Sequence, residues 1–414
     1  MQGLTPHHYC GIDWASDKHD VCVLDPAGTI RARFVAPHTA EGLAGLLRRL
    51  SAFGPREQLP ILIERPSGLL IDTLAEAGFP VAPMHPNALK AMRPRYSAAR
   101  GKSDSGDAYI AADVLRTDGH RIPLRHTASD RTRALRAAVR TRDDLVATRV
   151  QIANQLRSLL DGFWPGALAI FADVDSAITL SFLDQYPTPG HAARLGEHRL
   201  GQFLKKNAYC GRRSPATLLQ RLRGAAVGHA GARECEANGR IVRGLVVVLR
   251  ALRSQIHDLD KLIESQLAEH PDAPIIQSLP RTGGTNAAQI LAELGEDRQR
   301  FSSFDHLSAE AGACPVTFES GKHRGVAFRY ACNKRLRCAV TTWADNSRQA
   351  SPWAAEMYRA ARARGCDHPH AVRILARAWL RVLWRCWKDH TTYDPQLHGR
   401  ARPSLTSQPV PLAA

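Results

Sequence analysis

The first hundred residues set the tightest limit on what this chain can fold into, because β-prone runs and helical stretches alternate there in one order. His8-Tyr-Cys-Gly-Ile-Asp13-Trp reads as a first strand that ends in an acid. Val21-Cys-Val-Leu-Asp25 follows, Pro26-Ala-Gly28 makes a tight turn, and Ile30-Arg-Ala-Arg-Phe-Val35 returns, which is an antiparallel meander. A helical pattern from about Ala40 to Ser51 leads to Leu59-Pro-Ile-Leu-Ile-Glu64, a short buried strand that again finishes on a carboxylate. Pro66-Ser-Gly opens a helix to about Ala77, Pro80-Val-Ala-Pro-Met84 is a further strand, and another helix begins near Asn87. The order β-β-β-α-β-α-β-α predicts a mixed sheet with its first strand at the centre, where Asp13 and Glu64 become neighbours.

The next helix carries two more acids. Lys102-Ser-Asp-Ser-Gly-Asp107-Ala-Tyr-Ile-Ala-Ala-Asp-Val-Leu places Asp104 where it can cap the helix and Asp107 three residues on, on the same side of the first turn. No basic residue stands between them, so they repel. The bland account is a pair of acids suited to the helix macrodipole; the chemical one is a divalent cation, since hard oxygen ligands are what Mg2+ or Mn2+ prefers. The element order is that of the ribonuclease H fold, in which this helix packs across the strand ends. Asp13, Glu64, Asp104 and Asp107 are then expected to converge. Two ions about 3.5 to 4 Å apart are the usual resolution of such a cluster, one activating a nucleophile at phosphorus and the other stabilising the leaving oxygen.

Composition narrows the partner. At 414 residues there is room for two or three domains, and the formal charge of +17, with arginines spread along the whole chain, points to a long contact with a polyanion such as nucleic acid. The nine cysteines form no Cys-x-x-Cys pair, which argues against a disulfide framework or zinc ribbon and for reduced thiols. Cys366-Asp-His368-Pro-His370 reads as a turn before a helix rather than a metal cluster. No run approaches the roughly 20 apolar residues of a membrane span, and the first residues lack the apolar segment of a signal peptide. The expectation is a soluble, cytoplasmic protein with no membrane partner.

Beyond residue 127 the pattern turns helical. Asp130 to Asp161 and Gly239 to Leu267 each carry apolar residues at three-to-four spacing, and are expected to pair antiparallel as a coiled-coil arm over 127–270, with a small helical insertion at 162–232. Pro271 and Pro274 mark the start of a helical third domain, 271–395. In it, Ile275 to Gly295 reads as helix, glycine turn, helix. This resembles a helix-hairpin-helix, whose backbone N–H groups at Thr282, Gly283 and Gly284 would hold a DNA phosphate. A polar loop follows, Pro315-Val-Thr-Phe-Glu-Ser320-Gly-Lys-His-Arg, ringed by Lys322, Arg324, Lys334, Arg335 and Arg337. His368 to Trp387 is a last helix with Trp379, Leu380, Leu383 and Trp384 packed on an apolar side, and 396–414 reads as a disordered tail.

Three of these blocks resemble a family. Gly11-Ile-Asp13-Trp-Ala-Ser-Asp-Lys-His-Asp-Val, Ile63-Glu64-Arg-Pro-Ser-Gly and Lys102-Ser-Asp104-Ser-Gly-Asp107-Ala are similar to the catalytic blocks of the DEDD transposases of bacterial insertion sequences. Piv-type DNA invertases and, more remotely, RuvC Holliday-junction resolvases are relatives. The resemblance covers residues 9 to 117 and 272 to 390. It implies a RuvC-like domain over 1–126 that holds Mg2+ or Mn2+ through Asp13, Glu64, Asp104 and Asp107. In the C-terminal domain it implies that Ser320, in the Ser-Gly before a basic helix, is a nucleophile forming a phosphoserine link to DNA. It further implies contacts to nucleic acid near Lys102, guidance by a structured noncoding RNA, donor and target DNA as partners, and a homodimer or homotetramer with a composite active site. One departure is Cys332 before Asn333, where relatives often have glycine.

Three rival readings differ in one feature each. A RuvC-type structure-specific endonuclease would use metal-activated water in place of Ser320. An actin-like ATPase or sugar kinase would need a second glycine-rich phosphate loop, and none is found. An architectural nucleic-acid protein would have no use for four converging acids.

Overall fold

The computed structural model describes residues 6–64, 68–96, 103–125, 128–321 and 323–398. Lys102, Lys322 and the tail from residue 399 lie outside the described residues. The chain divides into two compact units, Met1–Thr127 and Ala128–Ala414.

The first unit is a five-stranded mixed sheet with helices on both faces. The strands β1 (Tyr9–Trp14), β2 (Lys18–Leu24), β3 (Ile30–Pro37), β4 (Ile61–Ile63) and β5 (Val81–Pro83) lie in the order β3-β2-β1-β4-β5, so the first strand is central as expected. β1 is antiparallel to β2 and parallel to β4. Helices α1 (Ala40–Ser51) and α2 (Leu69–Glu76) cover one face, where Ile12, Ile61 and Ile63 meet Leu46, Leu50 and Leu74. On the other face α3 (Pro86–Met92) and α4 (Asp104–Asp118) pack on Leu62 and Ala82, and Cys22 and Leu24 lie against Ala108 and Ala112 of α4. This architecture is compatible with a ribonuclease H-like domain.

β2 begins three residues earlier than the apolar run suggested, because Ala15 N–H donates to the Lys18 carbonyl (3.1 Å) and closes a tight turn. That brings His19 into the sheet. It is fully buried and lies 2.8 Å from His38 Nδ1 through its Nε2. Burial foremost, and the neighbouring His38 next, hold the His19 pKa down to about 4, against the pull of Asp17. The unfolded chain takes up this proton at the ordinary histidine value of 6.5 and the folded chain only near 4. The unfolded state therefore binds more protons between the two, and stability that is complete above pH 6.5 is lost as pH falls through that window. Calorimetric melting temperatures are expected to drop by several degrees over this range, and by less in a His19→Phe variant; equal slopes would remove His19 as the cause.

The second unit is helical apart from one hairpin. Helices α5 (Asp130–Phe163) and α11 (Ala232–Ala268) pack antiparallel: Leu135 and Val139 near the start of α5 meet Ile263 and Leu267, while Ala153 and Leu156 meet Val242 and Val246. Between them α6 (Gly166–Ile170), α7 (Ala177–Gln185), α8 (Pro189–Ala192), α9 (Glu197–Lys206) and α10 (Pro215–Arg223) share a core around Phe182, whose ring meets those of Trp164, Phe171 and Phe203. The root of the long helix pair shares one core with α12 (Ala273–Gln277), α13 (Gly284–Leu294), α14 (Phe304–Glu310), α15 (Lys334–Ser347), α16 (Pro352–Ala363) and α17 (His368–Asp389). Trp379, Leu380 and Leu383 of α17 are fully buried there, and Trp384 donates its indole N–H to the Phe301 carbonyl (3.1 Å), so these rings serve packing. Asp367 caps α17 by accepting from His370 N–H (2.8 Å), which accounts for the Cys-Asp-His-Pro-His run as a helix start.

The polar loop around Ser320 is instead an antiparallel hairpin, β6 (Val316–Ser320) and β7 (His323–Ala327). Alternating Val316, Phe318 and the β-branched Thr317 favour extended chain, and Gly321, at φ +57°, permits the two-residue turn. Among the described residues no helix is long and apolar enough to cross a membrane.

Candidate active site

Strand register builds the acidic end of the first unit. Gly11 pairs with Leu62 and Ile12 with Ile63, so Asp13 and Glu64, next along their chains, come side by side where the parallel strands run out. Side chains alternate along a strand. Gly11 and Leu62 face α4, so Asp13 and, by the same alternation, Glu64 are set on that face. A Cβ on Gly11 would lie 2.0 Å from the Ala108 carbonyl oxygen; only glycine lets α4 approach this closely. The helix runs antiparallel to β1. Ala108 lies over Gly11, while Arg116 further along reaches the Pro26 carbonyl (3.4 Å) beside the turn that follows β2. Its N-terminus, with Asp104 and Asp107, is therefore at the end of the sheet that carries Asp13.

The four acids share an end and a face of the first unit. Among the described residues no group of three or more His, Cys, Asp or Glu side chains is close enough to hold a metal ion. Arg93 pairs with one of these acids. Its guanidinium binds the nearly buried Asp107 carboxylate through two hydrogen bonds, 2.8 and 2.7 Å, so the protein itself supplies the positive charge that the sequence lacked between the acids. Asp104 does not cap its helix either. Ser103 does, accepting from Gly106 N–H (3.1 Å), and Asp104 stands exposed as the first helical residue.

Two further acids belong to the same stretches of sequence, Asp20 in the block around Asp13 and Asp113 further along α4. Asp20 lies directly opposite Asp13 across β1 and β2 and so on the same face, an arrangement of like charges that disfavours the strand pair. Taking Ser16 and Asp17 as a turn and counting back from it would reveal the pair. Asp113, buried in the middle of α4, accepts from Tyr96 Oη (2.9 Å) and Arg116 Nε (2.8 Å); burial and this carboxylate push the Tyr96 hydroxyl well above its ordinary pKa. No short-range signal connects residues 96 and 113.

In the second unit Ser320 is exposed at the tip of the hairpin, in register with His323, and Arg324 beside it pairs with Glu319 (3.0 Å). Of the basic residues expected to ring it, Lys334 is exposed at the start of α15. Arg335 is instead engaged by Asp144 (2.8 Å) and Asp143 (3.7 Å) of α5, and Arg337 is half-buried over the Phe328 ring (4.5 Å) and bonded to the Arg329 carbonyl. At Thr282, where a backbone N–H contact to DNA is expected, the residue is 2% exposed, and its N–H (3.4 Å) and hydroxyl (2.7 Å) both donate to the Leu279 carbonyl. Gly283, at φ +66°, and Gly284 are exposed at the start of α13, which no side chain caps.

Comparison with known proteins accounts for both units. A profile of DEDD-type transposase domains, described as a transposase, matches residues 10–165, and one described as "Transposase IS116/IS110/IS902 family" matches residues 273–359. The chain is 35% identical over 397 residues to the "Mini-circle putative transposase for IS117" of Streptomyces coelicolor, covering 94% of this chain and 95% of that protein. The chain belongs to the IS110/IS116/IS902 family of insertion-sequence transposases. The IS900 protein of Mycobacterium paratuberculosis is 32% identical over 296 residues, with 71% of this chain and 73% of that protein covered. The IS110 protein of Streptomyces coelicolor is 27% identical over 396 residues, with 94% and 96% covered. Transposases cleave and rejoin DNA strands, so this chain is an enzyme of DNA recombination, and DEDD transposases typically use divalent metal ions. In that family setting the endonuclease alternative is not favoured.

Proposed function

We propose that this transposase moves its insertion sequence by attack of Ser320 on a DNA phosphodiester. The serine Oγ forms the new bond to phosphorus, the deoxyribose oxygen leaves with a proton, and the phosphoserine link conserves the bond for rejoining to another strand. The observation that carries this reading is the exposed placement of Ser320 beside the glycine of a hairpin turn, within the stretch matched by the family profile. Pairing with His323 supports a role for that imidazole in taking the serine proton.

Asp13, Glu64, Asp104 and Asp107 are proposed to hold Mg2+ or Mn2+. Their hard oxygen donors, their shared end of the sheet and the like-charged Asp13–Asp20 pair suit a divalent cation, which when bound would neutralise charge developing on the phosphate. Asp107 must exchange Arg93 for that cation. An Arg93→Ala variant is expected to lose about 3 kcal/mol, because the Asp107 carboxylate is left buried and unpaired. Urea melts with and without Mg2+ should show the cation restoring more stability to this variant than to the parent; equal effects would take Asp107 out of the ligand set.

The resemblance to bacterial insertion-sequence enzymes also leads us to propose a guide RNA, a dimeric or tetrameric assembly with a composite active site, a kinship to Piv-type invertases, and action in the cytoplasm at the nucleoid. The long helix pair would be its coiled-coil arm, and the exposed start of α13 a helix-hairpin-helix phosphate contact. The decisive experiment is to trap the protein on element-end DNA, denature, digest and map the adduct by mass spectrometry. A nucleotide on the peptide containing Ser320 is expected; free 5′ and 3′ ends with no adduct would favour water as nucleophile.

A further inference from the structure

The strongest unassigned feature is a groove of about 1270 Å³ along α17. Arg373, Arg377, Arg381 and Arg385 all line it, each four residues after the last. At 1.5 Å rise and 100° per residue, successive arginines are about 6 Å apart along the helix in a row that turns by about 40° at each step, a spacing close to that between neighbouring phosphates on one strand. Like charges at i and i+4 disfavour a helix, and here three such pairs follow one another. A solvated face would scatter or alternate its charges.

The opposing charge inside the groove is small. Arg377 meets Asp305 (3.0 Å) and Arg385 meets Asp389 (2.5 Å), both exposed pairs that a polyanion can displace, and Asp394 also lines the groove. Arg373 and Arg381 lie over the rings of Phe328 (5.0 Å) and Phe304 (5.2 Å), and no carboxylate pairs with either among the described residues. Cationic groups interleaved with ring surfaces are what a single strand needs, since phosphates take the charge and unpaired bases take the rings.

One wall of the groove is the end of β7 and the residue after it, Val326 to Phe328. Four steps of antiparallel strand, about 14 Å, separate that wall from the hairpin tip at Ser320. We infer that the α17 groove holds the sugar-phosphate backbone of single-stranded DNA, as the continuation of the strand joined to Ser320. The choice of DNA rests on the reading of Ser320 as nucleophile; the charge and geometry of the groove do not.

The test uses the full chain and fluorescence anisotropy with labelled oligothymidylate, oligouridylate and a short DNA duplex. An R377Q/R381Q variant is expected to bind oligothymidylate about ten-fold more weakly or worse. Its plot of log affinity against log salt should be shallower by about 1.4, or about 0.7 for each phosphate of a single strand that is no longer neutralised. R377K/R381K should recover most of the affinity. In the parent, photocrosslinks from 4-thiothymidine should map to α17 and to Val326–Arg329, a readout that needs no variant. Unchanged affinity and slope, or crosslinks elsewhere, overturn the groove. Loss confined to oligouridylate would make it an RNA surface, and loss confined to the duplex would exclude a single strand. Cleavage adducts surviving in S320A would refute the nucleophile without altering any of these binding results.

Discussion

Replacing Ser320 with alanine is expected to lower strand cleavage and joining by about a thousand-fold or more, since losing a covalent nucleophile removes the reaction path and leaves only positioning and electrostatic help. Stability should stay within about 0.5 kcal/mol of the parent, as is usual at exposed positions; Ser320 is exposed at the hairpin tip. Strand transfer on element-end substrates and thermal melting measure the two quantities together. A variant that melts normally and still cleaves at the parental rate would exclude a phosphoserine link.

The second large effect concerns stability. Glu293 of α13 is 3% exposed and is held by Arg140 of α5 through two hydrogen bonds (2.7 and 2.8 Å) and by the Asn333 amide ahead of α15 (2.7 Å). Burial works to raise its pKa, but the hydrogen bonds from Arg140 and Asn333 outweigh it and keep the carboxyl below the usual glutamate value. Its contribution is therefore present above the ordinary value of 4.5 and is lost as pH falls below it. Arg140→Ala leaves a buried carboxylate without its cation and is expected to destabilise by about 3 to 5 kcal/mol. Glu293→Gln leaves a guanidinium whose side chain is 43% exposed and can be hydrated, so a smaller loss of about 1 to 2 kcal/mol is expected. Denaturant midpoints of the two variants compare them directly; equal losses would show that isolating the guanidinium costs as much as isolating the buried carboxylate.

Packing between remote elements also engages some of the basic residues expected to hold DNA. From sequence, Arg335 and Arg337 look like free cations beside a serine; in space Asp143 and Asp144 of α5 engage the first, and the Phe328 ring covers the second. A basic residue is legible in a sequence, but whether its charge is already matched depends on packing between elements far apart in the chain. The arginine row of α17 is legible in its spacing, yet the tryptophans on the same helix draw the eye toward its core face.

The sequence by itself determined the element order of the first unit, the central strand, the antiparallel long helices and the family, because local periodicity, turn chemistry and three short blocks are properties of neighbouring residues. It also placed Asp13 beside Glu64, since parallel pairing of two strands that both end in acids admits little else. Only the tertiary structure decided that Arg93 occupies Asp107, that Asp20 faces Asp13, that Ser320 rides on a hairpin and that four arginines share one groove. Each of these depends on register or on contact between segments remote in sequence, and a buried or paired charge takes its chemistry from whatever folding brings next to it.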